Sequence, residues 1–82
     1  MPEPQLEELV IFLARSLVDN PDEVRVTSTE WSDSRIELEL RVAPDDMGKI
    51  IGRQGRNIRS IRSVVKAAAV KIDKRVDVAI PD

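Results

Sequence analysis

The 82-residue sequence predicts an α+β domain in the order helix, strand, strand, short helix, helix, strand (αββααβ), folded as a three-stranded mixed sheet with three helices on one face. Three observations carry that prediction. Residues 6–17 place apolar side chains at helical spacing. Residues 35–42 alternate between charged and aliphatic, the period of a strand with one buried face. Two helical segments separate that strand from a last alternating run, and such a crossover makes the strands it joins parallel. The first two strands, joined by a short turn, pair as a hairpin.

In chain order, Leu6, Leu9, Val10, Leu13 and Leu17 form one face of the first helix. Pro4 suits its first position, and Glu7 and Glu8 suit the positive end of its dipole. Ile11, Phe12 and Val18 widen the apolar surface toward either a deep core contact or a second subunit. Asp19-Asn20-Pro21 is the expected end, because a residue before proline avoids helical backbone angles. Val24 to Glu30 reads as a strand, Ser32-Asp33-Ser34 as a turn, and Arg35 to Val42 as the clearest strand. There Ile36, Leu38, Leu40 and Val42 point inward. The charged row on the other side leaves that face of the sheet open. Ala43-Pro44-Asp45-Asp46 reads as a helix start with capping carboxylates rather than a metal site, since no third ligand follows at suitable spacing. Met47, Ile50 and Ile51 give the short helix its apolar side. The long helix spans about Gly55 to Ile72 on a stripe of Ile58, Ile61, Val65, Ala68, Ala69 and Ile72. Arg56, Arg59, Arg62 and Lys66 form a flank of cations about 120° from that stripe, the last two read as solvated charges. Val76, Val78 and Ile80 alternate in the final strand.

Composition excludes more than it identifies. With no cysteine and no histidine, disulfides, thiolate metal sites and the commonest general base are absent. No GxxxxGK or GxGxxG motif occurs, and Ser60 and Ser63 have no base partner, so no catalytic, metal or cofactor residue is expected. Met1-Pro2-Glu3-Pro4 lacks the basic start of a secretory signal, and no apolar run approaches a membrane span of about 20 residues. The expectation is one domain over 1–82, cytoplasmic and not membrane-bound. The net charge of −2 hides an asymmetry. Residues 1–46 carry 4 Lys+Arg against 12 Asp+Glu, a balance of −8, and residues 47–82 carry 9 against 3, a balance of +6. A polyanion would be drawn to the second half and repelled by the first.

All three glycines lie in that basic half, in Gly48-Lys49-Ile50-Ile51-Gly52-Arg53-Gln54-Gly55-Arg56-Asn57-Ile58-Arg59. A glycine turn that opens a helix among cations is a seat for phosphate, because the helix N-terminus offers unpaired N–H groups and positive dipole. Ile50-Ile51-Gly52-x-x-Gly55-x-x-Ile58 resembles the KH-domain signature, whose GxxG loop clamps the backbone of about four single-stranded nucleotides. With the αββααβ order, nearly the whole chain resembles a type II KH fold, and its length resembles the small single-domain bacterial KH proteins called KhpA. The resemblance implies single-stranded RNA binding without catalysis, in the manner of an RNA chaperone or post-transcriptional regulator. It also implies a homodimer and pairing with a KH protein of the KhpB (Jag) type. By matching position, Gly52, Arg53, Gln54 and Gly55 form the clamp, and Ile50, Ile51 and Ile58 lie at or beneath an aliphatic base groove between the two helices and the central strand. At least half of these isoleucines are expected to be plain core. Lys49, Arg56 and Arg59 stand close enough to meet phosphates. The very short link at Asp73-Lys74 departs from the family pattern, where a variable loop precedes the last strand, and shortens one wall of the groove.

Two other readings remain. One is a KH-like dimerisation module that does not bind RNA. The other, a helix-turn-helix DNA binder, leaves the hairpin and last strand unexplained. Trp31 and Phe12 are the only aromatics, too few for a surface that stacks bases on strand side chains.

Overall fold

The computed structural model describes residues 4–81. Its order is α1 (Pro4–Arg15), β1 (Arg25–Ser32), β2 (Arg35–Arg41), α2 (Met47–Ile51), α3 (Arg56–Val70) and β3 (Arg75–Ala79), with single 3-10 turns at Pro21–Glu23, Pro44–Asp46 and Arg53–Gly55. The sheet order is β1-β2-β3. β1 runs antiparallel to β2, with Val26 opposite Leu40 and Ser28 opposite Leu38. β2 runs parallel to β3, with Ile36 beside Val76 and Leu38 beside Val78. The predicted α+β architecture is therefore present.

The alternation in β2 decides the layering. Ile36, Leu38 and Leu40 are fully buried, and they share one core with Leu6, Val10 and Ala14 of α1, Ile50 of α2, and Ile58, Ile61, Val65 and Ala69 of α3. All three helices thus cover the same face. The opposite face keeps its charges in water, with Arg35 bonded to Asp77 at 3.3 Å and Arg41 to Glu39 at 3.0 Å. Trp31 is the extra residue of a bulge between Glu30 and Ser32, and its indole N–H donates to Glu37 Oε1 at 3.0 Å.

Three expectations are corrected. α1 stops at Arg15, not Asp19. The chain tightens there, with Leu17 N–H on the Ala14 carbonyl and the Ser16 hydroxyl on the Phe12 carbonyl. The deep stripe of α1 is Leu6, Val10 and Ala14; Leu9 and Leu13 are half-buried, and Phe12 is 67% exposed. A core role for Phe12 is thereby excluded. α3 closes earlier than Ile72, with Asp73 in the left-handed region at φ 57°. Asp73 N–H reaches the Val70 carbonyl and Lys74 N–H the Ala69 carbonyl, the paired bonds of a Schellman cap. The cap turns the chain straight into β3, where Arg75 N–H bonds the Ser34 carbonyl.

Candidate nucleic-acid interface

Five residues make α2 too short to stand alone. Two contacts hold it. Ile50 is fully buried, worth about 1.5–3 kcal/mol for a side chain of its size. Asp46, just before α2, is also fully buried. Its carboxylate does not cap the helix as expected. It accepts the backbone N–H groups of Asp19 at 3.1 Å and Asn20 at 3.0 Å, and the Asn20 amide at 3.0 Å. Among the described residues, no group of three or more Asp, Glu, His or Cys side chains is placed to hold a metal ion. Burial pushes the Asp46 pKa up, but these hydrogen bonds, with Lys49 nearby, outweigh it and hold the group below its ordinary 3.8.

The turn after α2 has backbone angles that require its glycines. Gly52 has φ 75° and ψ 173°, a region essentially reserved for glycine. Gln54 and Gly55 are both left-handed, at φ 58° and φ 73°. A Cβ on Gly52 would sit 2.7 Å from Asn57 Cγ and 2.9 Å from Asn57 N. The Asn57 amide in turn donates to the Lys49 carbonyl at 2.8 Å, tying the end of α2 to the first turn of α3. The N–H groups of Gly52 and Gly55 are spent within the chain, on the Gly48 and Gly52 carbonyls at 2.8 and 3.1 Å. Those of Arg53 and Gln54 open the 3-10 turn and have no carbonyl partner inside it. These two, rather than the glycines' own, are the donors the turn leaves unused within itself.

The expected site residues fall into three groups. Arg53, Gln54, Arg56 and Arg59 are exposed around the N-terminus of α3. Lys49 is drawn aside: its ammonium lies 3.1 Å from Asp19 Oδ2 and 4.0 Å from Asp46 Oδ1. The bond to Asp19 raises its pKa above 10.5 despite partial burial, so it stays charged. Among the isoleucines, Ile50 and Ile58 are core, whereas Ile51 is 40% exposed beside the turn. The inward side chains of the central strand lie fully beneath the helices. β3 is the edge strand next to α3's cationic flank. There Arg62 is not a solvated charge: its Nε donates to the Val78 carbonyl at 3.1 Å.

Asn57 was not anticipated. Its signal is a polar residue in the first turn of a helix, one residue before the buried stripe begins, placed to meet the unpaired carbonyls at the end of the preceding helix.

Two helices joined by a GxxG turn, on a mixed sheet of order β1-β2-β3, define a KH domain of the type II order. Comparison with known proteins makes this specific. The KhpA/KhpB KH-domain model matches residues 7–80, and the chain belongs to that family. It is 56% identical over 75 residues to the RNA-binding protein KhpA of Clostridium acetobutylicum, covering 92% of this chain and 99% of that protein. It is 43% identical over 82 residues to RNA-binding protein KhpA of Bacillus subtilis, covering both in full. Among solved structures, Aquifex aeolicus Era bound to GDP.AlF4- superposes with a TM-score of 0.69 at 20% identity, over 98% of this chain and 31% of Era. Era in complex with MgGDPNP and nucleotides 1506–1542 of 16S ribosomal RNA gives 0.68 at 21% identity, over 92% of this chain and 28% of that one. The chain spans about a third of Era, and that likeness concerns the fold. Among the described residues, no helix is long and apolar enough to cross a membrane.

Proposed function

We propose that the protein is a non-catalytic binder of single-stranded RNA, acting in the cytoplasm as an RNA chaperone or post-transcriptional regulator. The observation that carries this reading is the turn itself. Gly52 and Gly55 shape a 3-10 turn whose opening N–H groups, those of Arg53 and Gln54, have no carbonyl partner within it, and the turn leads into the N-terminus of α3 among the exposed cations Arg53, Arg56 and Arg59. Phosphate sits on the donors and the dipole, and the cations surround it. Ile51 offers an apolar rest for a base, with Ile50 and Ile58 beneath it. Lys49 contributes long-range attraction, its ammonium being held by Asp19. Names among the relatives support the RNA reading. Against a helix-turn-helix stands α2, five residues long and enclosed by a sheet crossover.

The protein self-associates in this reading, and it pairs with KH proteins of the KhpB type, as the family name suggests. Exposed Phe12 on α1 and Val64 on α3 supply apolar surface that the monomer does not cover.

The test is RNA binding by Arg53→Asp with Gln54→Asp. Both side chains are exposed, so the melting curve should match the parent, as surface changes alter stability by about 0.5 kcal/mol or less. Binding should vanish, because a cation is lost and two carboxylates face the phosphate. The parent's log K should fall with log[salt] at a slope of roughly −2 to −3.5 for some three to five phosphates. Ile58→Asp, which puts a charge in the core, should damage fold and binding together. A double-aspartate variant that folds and binds like the parent would transfer the reading to a dimerisation module.

A further inference from the structure

The cations of α3 continue past the turn. At the other end of the helix, a cleft of about 390 Å3 is lined by Lys66 and Val70 of α3, Lys74 and Arg75 at the start of β3, Arg35 of β2, and Asp77. Four cations meet one carboxylate. Arg35 already matches that carboxylate, at 3.3 Å. Lys74 Nζ donates to the backbone carbonyl of Asp33, a neutral partner that leaves its charge uncompensated. Among the described residues, Lys66 and Arg75 have no ion-pair partner. Like charges gathered around one concavity repel, and an anion placed there relieves all of them at once.

The cleft also lies on a continuous path from the turn. Lys66 is ten residues beyond Arg56, about 15 Å along the helix axis. Between them runs the free edge of β3. Arg75 N–H bonds β2 through the Ser34 carbonyl, so Arg75, Asp77 and Ala79 turn their main-chain groups inward, and Val76 and Val78 turn theirs outward. Arg62, on the Val78 carbonyl, stands midway and carries the positive flank across.

We propose that this cleft is a second phosphate subsite, holding backbone phosphates of the same RNA strand that the turn grips. The inference rests on the RNA-binding reading. The GxxG turn takes about four nucleotides, so a four-mer is held whole at the turn, whereas an eight-mer leaves about four more to cover the distance to the cleft.

The experiment measures affinity for four- and eight-nucleotide oligouridylates across a salt series, for the parent and for Lys66→Ala with Arg75→Ala. Both residues are exposed, and circular dichroism verifies the fold; Lys66→Gln alone serves as a milder variant. The double variant should bind the eight-mer on the order of tenfold more weakly at 0.15 M salt, with a slope shallower by about 1.4, and Lys66→Gln should give about half that slope change. Its four-mer affinity should equal the parent's. Unchanged eight-mer binding, or an equal fractional loss on both lengths, overturns the subsite while leaving the turn intact. Arg53→Asp with Gln54→Asp separates the two readings, since it should abolish both lengths. A parent that binds neither length removes the RNA reading and the subsite with it.

Discussion

Replacing Gly52 by alanine should unsettle the whole interface, and its size can be worked out. The new Cβ would meet Asn57 Cγ at 2.7 Å, and Asn57 Cβ and N at 2.9 Å. The side chain could rotate away only by giving up its bond to the Lys49 carbonyl, worth about 0.5–1.5 kcal/mol. The backbone nitrogen cannot move without shifting α3. Backbone angles of φ 75° and ψ 173° add about 1–3 kcal/mol for any residue with a Cβ. The total is about 1.5–4.5 kcal/mol, against about 4–12 kcal/mol for a domain of this size. Gly55→Ala faces only the left-handed penalty of about 1–2 kcal/mol, since its nearest neighbour would be Ile58 Cγ2 at 4.0 Å. Gly48 has open space around it, so Gly48→Ala should stabilise by about 0.5–1 kcal/mol. Thermal melts should therefore rank Gly48→Ala above the parent, then Gly55→Ala, then Gly52→Ala, the last with Tm lower on the order of 10–25 °C. Adding Asn57→Ala to Gly52→Ala should not rescue it, because the contacts with Cβ and N remain. If Gly52→Ala melts no lower than Gly55→Ala, the close approach of Asn57 does not constrain the turn.

Two further outcomes are expected. The lowered pKa of Asp46 means that its contribution is fully present above the unfolded carboxylate value and is lost as pH falls through the folded one. Urea melts should show the parent weakening below about pH 4. Asp46→Asn should be less stable than the parent at pH 7 and lose less on acidification, and equal acid losses in the two proteins would contradict that role. Sedimentation equilibrium should show a mass above the monomer at micromolar concentration, and Phe12→Ser should shift it toward monomer. A single monomer mass for the parent at every concentration would refute self-association.

What could be read from the residues depended on how far each one reaches. The strand β2 was legible because its alternation is a local consequence of one covered face. The turn was legible because backbone angles closed to other residues call for Gly52 and Gly55. The end of α1 was not. The segment just beyond it is held by Asp46, which accepts the N–H groups of Asp19 and Asn20 from 27 and 26 residues away; no local pattern records that bond. Lys49 looked like a phosphate ligand by position, and its partner Asp19 becomes adjacent only on folding. Phe12 sits in the unbroken apolar run of residues 9–14, where sequence does not say which side is left uncovered. Asn57 carries no charge and breaks no period, so its importance appears only with the Gly52 backbone beside it.

The bond from Arg62 to the Val78 carbonyl has a meaning for the protein's life in concentrated solution. A three-stranded sheet has two unfinished sides, and an unfinished side can recruit strands from other molecules into an endless assembly. On β3 that side is only five residues long, and a guanidinium covers one of its outward acceptors. The guard is bulky and charged, so two such sides brought together repel before they can pair. The same arginine stands on the route proposed for RNA. A substitution at Arg62 would therefore alter the exposed edge of β3 and the proposed RNA path together.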